Sequence, residues 1–259
     1  MKKKILFFDI DGTLYNTSKQ LPQATRDAIE AARANGHEVA IATGRSPYFL
    51  ESVARELNVD SYVSFNGQYV VYKGELISHN PLPVDVMKHM VELAYEQDSP
   101  LVFLDDEKMS STINTHEVKV SMDSLFYPMP TVQPEAFSLK PIYQMLLYAD
   151  TTKEKYFRAA FPELHFIRWH DYSLDVINKG VSKAYGIEQF LTHTDFEAED
   201  VVVFGDGLND REMLEAFATR GTSVAMGNGV AEAKAAATFV TDHVDNDGLA
   251  KAMQKIGLI

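Results

Sequence analysis

The run Ile5-Leu6-Phe7-Phe8-Asp9-Ile10-Asp11-Gly12-Thr13 decides how the rest of the chain is read: four consecutive apolar residues end abruptly in two carboxylates and a glycine. A short continuous apolar run is the pattern of a strand buried on both faces, as in a parallel sheet, and such sheets hold their ligands outside the carboxyl ends of their strands. Asp9 and Asp11 stand at such an end. Residues two apart in extended chain share a face, so both side chains can meet one ligand. Left unpaired, two carboxylates this close repel and one tends to keep a proton, a conflict that a divalent cation resolves. Taken alone, Asp-x-Asp-Gly also reads as a surface turn in which Asp caps a loop and Gly12 supplies positive φ.

Outward from this run the chain repeats its pattern. Pro22 to Asn35 has helical spacing at Ala24, Ala28, Ile29 and Ala32, with Gly36 placed to stop it. A second apolar run, Val39 to Ala42, ends in Thr43-Gly44-Arg45, and Ser46-Pro47 opens a helix to about Leu57. Tyr62 to Phe65 reads as a third strand. Asn66-Gly67, Tyr69 to Tyr72, Lys73-Gly74 and Glu75 to Ile77 read as a hairpin. From Pro81 the texture changes to an α+β module: a helix over Val84 to Glu96, a strand at Leu101 to Leu104, proline breaks at 128, 130 and 134, then Ile142 to Tyr148, Thr152 to Ala160, Leu164 to Trp169 and Leu174 to Ile177. The winding resumes with a helix from Ser182, and Val201 to Phe204 runs into Gly205-Asp206-Gly207-Leu208-Asn209-Asp210. Gly227-Asn228-Gly229 reads as a strand-to-helix turn. The expected fold is therefore α/β, a Rossmann-like core with a central parallel sheet built from residues 1–80 and 180–259, interrupted by an inserted α+β domain over 81–179.

Composition bounds the chemistry. With no cysteine there is neither disulfide framework nor thiolate nucleophile, and any metal must take oxygen or imidazole ligands; the eight histidines show no ligand spacing. A formal charge of −13, from 24 basic against 37 acidic residues, opposes binding to nucleic acid or an anionic membrane. No apolar run approaches the ~20 residues of a membrane span, and the first residues carry no cleavage pattern, so the expected location is cytoplasmic. An anionic ligand must be held by local groups.

If the three apolar strands are parallel neighbours, Asp9 and Asp11, Thr43 and Gly44, and Asp206, Asn209 and Asp210 meet at one sheet edge. That oxygen-rich set suits Mg²⁺, which takes oxygen ligands at ~2.0–2.1 Å and commonly keeps a substrate phosphate oxygen among them. The Thr43 hydroxyl and Gly44 N–H can donate to such a phosphate, with a lysine needed for the remaining charge.

Asp9-Ile10-Asp11-Gly12-Thr13, Ala42-Thr43-Gly44-Arg45, Gly180-Val181-Ser182-Lys183 and Gly205-Asp206-Gly207-Leu208-Asn209-Asp210 resemble, in order and spacing, the four motifs of haloacid dehalogenase-like phosphatases. The insert between the second and third motifs, with Asn66-Gly67 and Ala225-Met226-Gly227-Asn228, is similar to the type IIB, Cof-like branch, whose α/β cap sits over the active site. The resemblance implies that Asp9 is the nucleophile forming an aspartyl-phosphate and Asp11 the general acid and base. It implies Mg²⁺ held by Asp9, the Asp11 carbonyl and Asp206, and phosphate held by Ile10, Thr43, Gly44, Lys183 and Asn209. Asp210 would act through metal-bound water or by orienting Lys183. Lys179 competes with Lys183 for the phosphate role. Arg45 faces substrate or ties down its loop, and Asn66 supports the site or is only a turn residue. The implied substrate is a small phosphorylated metabolite, most plausibly a sugar phosphate; the rival readings are a sugar phosphomutase or phosphotransferase with the same intermediate, and a non-enzymatic sensor of a phosphorylated ligand.

Overall fold

The computed structural model describes residues 2–259, which divide into two compact units. The first comprises the chain through Arg45, Phe49–His79 and Val181–Ile259; the second is Asn80–Gly180 with Ser46–Tyr48. No helix among the described residues is long and apolar enough to cross a membrane.

The first unit is built on an eight-stranded sheet in the order Phe239–Val240, Thr222–Ala225, Val201–Gly205, Ile5–Phe8, Glu38–Ala42, Tyr62–Ser64, Tyr69–Tyr72, Glu75–His79. All neighbours are parallel as far as Tyr62–Ser64; the last two strands add antiparallel. Alternation along the apolar runs fills both faces. Leu6, Phe8, Val39, Ile41, Val202 and Phe204 pack with the helices Gln23–Ala34, Pro47–Glu56 and Gly248–Lys255; Ile5, Phe7, Ala40, Ala42, Val201 and Val203 pack with Lys183–Thr192, Arg211–Phe217 and Ala231–Ala236. Each such fully buried large side chain contributes about 1.5–3 kcal/mol. Lys73 and Gly74 both take positive φ, as a two-residue hairpin between right-twisted strands requires. The third strand stops one residue short of its apolar run, because Phe65 and Asn66 turn left-handed inside a short 3₁₀ turn, Phe65–Gly67.

The second unit carries a six-stranded sheet in the order Leu164–Arg168, Ser173–Asn178, Gln144–Tyr148, Leu101–Leu104, Met109–Ser111, Thr131–Val132, antiparallel except for its last pair. One face packs its apolar residues under Val84–Glu96, Ala136–Leu139 and Thr151–Ala160. Asp175, between the core residues Leu174 and Val176, points to the opposite face. Burial pushes its carboxyl up to about 7, against the hydrogen-bonding influence of Gln144 and Trp169. An unfolded aspartate ionises near ~3.9, so between about pH 4 and 7 the native state holds a proton that the unfolded state has lost, and stability falls as pH rises through that window. Asp175→Asn is expected to exceed wild type in urea-unfolding free energy by about 1–3 kcal/mol at pH 8, and to converge on it below pH 4. Equal curves at pH 8 would contradict this.

Candidate active site

Phe8 lies in register with Ile41 on one side and Phe204 on the other, so the residues that follow all three strands leave the sheet at one edge. The loop after Phe8 folds back at once: the Leu14 N–H donates to the Asp9 carbonyl (3.2 Å), Tyr15 N–H to that of Ile10 (2.8 Å), and Gly12 N–H to that of Tyr15 (3.0 Å). Gly12 is at φ +82°, and a Cβ there would lie 2.3 Å from Asp206 Oδ2. Both the sign of φ and the approach of Asp206 therefore require glycine. Ile10 sends its side chain into the core beside Leu14, which leaves only its backbone for a ligand.

At this edge Lys183, 0% exposed, opens the helix Lys183–Thr192 behind the cap Ser182 and donates to Asp9 Oδ1 (2.5 Å) and Asp210 Oδ1 (2.6 Å). Burial alone would lower its pKa; the charges of Asp210 and Asp9, with their hydrogen bonds, hold it above the ordinary lysine value. The other oxygen of Asp210 accepts the N–H groups of Asp206 and Gly207, both at 2.8 Å. Asp210 thus orients Lys183 and clamps the Gly205–Asp210 loop, one of the two roles the sequence left open. Lys179 lies elsewhere, donating to the Pro162 carbonyl (3.2 Å).

Burial, then the charge of Asp210, pushes Asp9 up to about 7, with Lys183 opposing; burial and Asp210 likewise push Asp206 up to about 6. Carboxylate oxygens of Asp9, Asp206 and Asp210 lie within 4.8 Å of one another. Three carboxylates against one ammonium leave two negative charges in a buried, sulfur-free pocket, and that is the donor set and charge that a hard divalent cation fits. Asp206 is held from two sides: Thr13 Oγ1 donates to its Oδ1 (3.1 Å), and Asn228 Nδ2 to its Oδ2 (3.3 Å) and to the Gly12 carbonyl (2.8 Å). Asn228 Oδ1 in turn accepts the Val244 N–H (2.9 Å). Sequence reasoning gave Thr13 no role and read Asn228 as a turn residue. The signal for Asn228 was its place just beyond a fourth buried strand.

Asp11 turns its carboxylate to Arg45, whose Nε and Nη2 donate to Oδ2 at 3.1 and 2.8 Å, and to Lys19 Nζ (2.6 Å). Burial would raise its pKa, but the Arg45 charge and the hydrogen bonds from Lys19 and Arg45 outweigh it and lower the net value. Asp11 is thus held ionised in this arrangement. Arg45 is a partner of Asp11 as well as a contact of the Phe49 carbonyl (3.5 Å). Thr43 is buried, and its Oγ1 accepts the Arg45 N–H (3.1 Å) while its carbonyl accepts the N–H of Asn66 (3.1 Å). Asn66 sits left-handed at φ +52°, accepts from Asn209 Nδ2 (3.4 Å), and places its amide where a Cβ on Gly44 would meet it at 3.1 Å. Thr43, Asn66 and Asn209 are thereby one hydrogen-bonded group, with Gly44 packed against the Asn66 amide.

The fold is thus a doubly wound, Rossmann-like α/β sheet with an acidic, lysine-bearing cluster at its carboxyl edge. A family model for haloacid dehalogenase-like hydrolases matches residues 6–253, and the chain belongs to that family. It is 41% identical, over the whole length of both chains, to YkrA of Bacillus subtilis, whose name gives it as a candidate phosphatase. Among solved structures it is similar to the phosphatase BT1666 from Bacteroides thetaiotaomicron (31% identity, TM-score 0.89, covering 99% of this chain and 96% of that one). It is also similar to the subclass IIB sugar phosphatase BT4131 (34% identity, TM-score 0.82, covering 99% and 100%).

Proposed function

We propose that this chain is a Mg²⁺-dependent phosphomonoesterase of the cytoplasm that hydrolyses small phosphorylated metabolites, sugar phosphates among them, through an aspartyl-phosphate on Asp9. The observation that carries the reading is the buried Lys183 bridging Asp9 and Asp210 beside Asp206. The names of BT1666, BT4131 and YkrA support it.

An Asp9 carboxylate oxygen bonds to phosphorus as the bond to the ester oxygen breaks; water then attacks phosphorus, releasing inorganic phosphate and restoring the carboxylate. Two of the three Lys183 N–H bonds go to Asp9 and Asp210, which leaves one for a phosphate oxygen and reduces repulsion between Asp9 and an incoming dianion. Thr43, the backbone of Ile10 and Gly44, and Asn209 supply further donors. Asp11, held ionised by Arg45 and Lys19, is in the state to take a proton from the attacking water. To protonate the leaving oxygen it must first leave those two cations and gain a proton. Asp9, Asp206 and the Asp11 carbonyl would hold Mg²⁺, with Asp210 at hand, and the ion supplies charge neutralisation and orientation of the phosphoryl group. Residues 1–80 and 180–259 are then the catalytic domain, and 81–179 the domain that sets substrate choice.

The test is phosphate release from a panel of sugar phosphates, nucleotides and an aryl phosphate, with no acceptor added. Release that needs Mg²⁺, stops in EDTA and returns with excess Mg²⁺ is expected. Release undiminished by EDTA, or only after a sugar acceptor is added, would contradict it.

A further inference from the structure

The end of the six-stranded sheet formed by Leu101, Ser111, Tyr148 and Ser173 opens on a cavity of about 620 Å³ that lies wholly within the second unit. The chain enters and leaves that unit at the other end of the sheet, where Asn178 finishes its strand and donates through Nδ2 to the Asn80 and Pro81 carbonyls (3.1 and 3.2 Å). The length of Ser173–Asn178, about 16 Å at ~3.3 Å per residue step, separates the two ends. No residue of the carboxylate and lysine cluster in the first unit lines the cavity. Cavities of roughly 300–1,000 Å³ are the size that takes a small molecule.

Its walls combine aromatic surface with an excess of negative charge. Tyr95, Tyr148, Tyr172 and Ile113 line it, and Tyr95, Ile113 and Tyr172 are 58%, 53% and 41% exposed. Large apolar side chains gathered round one concavity, unlike those scattered singly, mark a place where something binds. Asp98, Glu117, Asp150 and Asp171 stand against one lysine, Lys153, so four carboxylates and one ammonium leave a net charge of −3. Lys153 is already committed, its Nζ donating to the Gln97 and Asp98 carbonyls that follow the helix Val84–Glu96. Arg168, close by, is taken up by Glu154 and by the Ala149 and Asp171 carbonyls. Backbone N–H groups, those of Lys153 and Thr152 for Asp150 and its own for Glu117, hold these two carboxyls below the usual range and so ionised. Among the described residues Asp98 and Asp171 enter no ion pair. Such walls repel an anion. They do not serve a bare divalent ion either: among the described residues, the group of three acidic or imidazole side chains placed to share a metal is Asp9, Asp206 and Asp210. Carboxylates spread round aromatic walls suit an organic cation, which is drawn to ring faces as well as to negative charge.

We propose that this cavity is a binding site for a small organic cation, an amine or quaternary ammonium group carrying an apolar arm, with the carboxylates holding its charge and the tyrosines and Ile113 its arm. The site shares no residue with the proposed catalytic cluster, and binding there does not depend on the chain being a phosphatase.

The full chain, with Mg²⁺ present, is titrated with phenylethylammonium, 2-phenylethanol and 3-phenylpropionate, which share a ring and a short arm and differ in charge. Calorimetry gives the affinities, and amide shifts of isotope-labelled protein give the place of binding. The cation is expected to bind at least about tenfold more tightly than the alcohol, and the anion not at all, with shifts centred on residues 94–100, 112–117 and 148–153. Two variants at exposed positions, Asp98→Asn/Asp171→Asn and Tyr95→Ala, are each expected to weaken the cation about fivefold or more, and added salt to weaken it in wild type. Asparagine keeps the left-handed backbone of Asp98 (φ +46°), and melting curves verify that both variants fold. Cation and alcohol bound equally well, shifts confined to residues near Asp9 and Asp206, or an affinity unchanged in the folded variants would each overturn the site. So would a cation that fails to bind at up to about 20 mM.

Discussion

Asp9→Asn is expected to abolish phosphoester hydrolysis, with a loss of at least about a thousandfold in turnover, because in the proposed mechanism an amide cannot form the acyl-phosphate bond and no neighbouring group can take its place. Asp210 is committed on both oxygens, to Lys183 and to two backbone N–H groups, and Asp11 is paired with Arg45 and Lys19. The fold should survive. Asparagine has the shape of aspartate, its carbonyl can still accept from Lys183, and the charge it removes is one that burial already disfavours. Phosphate release and a melting curve on the same preparation check both halves; a folded variant with activity within tenfold of wild type would remove Asp9 from the nucleophile's role.

Lys183→Met is expected to be the most destabilising single change in the site. It leaves the Asp9 and Asp210 carboxylates buried without their shared counter-ion, and breaking a buried ion pair from one side costs about 3–5 kcal/mol. The deficit has a pH signature. Asp9 is already pushed up to about 7 against the influence of Lys183, so losing the ammonium raises it further; the variant's native state keeps a proton that the wild type loses, and the deficit grows as pH rises through about 7. Urea unfolding at pH 5 and pH 8 measures it, and Lys183→Met/Asp210→Asn should recover part of the stability and none of the activity. A Lys183→Met protein as stable as wild type at pH 8 would mean that Lys183 does not neutralise the pair.

What the sequence made legible follows from the range of the interactions involved. The runs Ile5 to Phe8, Val39 to Ala42 and Val201 to Phe204 announce buried parallel strands by their continuity, and the residues that end them fall at one edge once the strands are neighbours. Local polarity alone could not give the direction of each side chain. Arg45 reaches back to Asp11, 34 positions away, and Asn228 spans 216 positions to Gly12; both contacts depend on loop conformation and have no periodic signature. In the second unit, Met109–Ser111 and Thr131–Val132 are too short and polar to stand out as strands, and they pair only because a longer neighbour presents an edge. Asp175 was hidden for a different reason: inside Leu174 to Ile177 a single charged residue reads as the outward position of an alternating strand, and only the structure sets it within reach of Gln144 and Trp169.

The most direct test of the central claim is to look for the phosphoryl group on Asp9. Wild-type protein with Mg²⁺ is mixed with an aryl phosphate, whose leaving group needs little protonation, quenched in acid within the first turnover, and its peptides are analysed by mass spectrometry. One phosphoryl group on the peptide containing Asp9, absent from Asp9→Asn, is the expected result. Turnover under the same conditions with no phosphoryl group on that peptide, or with one on a different residue, would contradict the account.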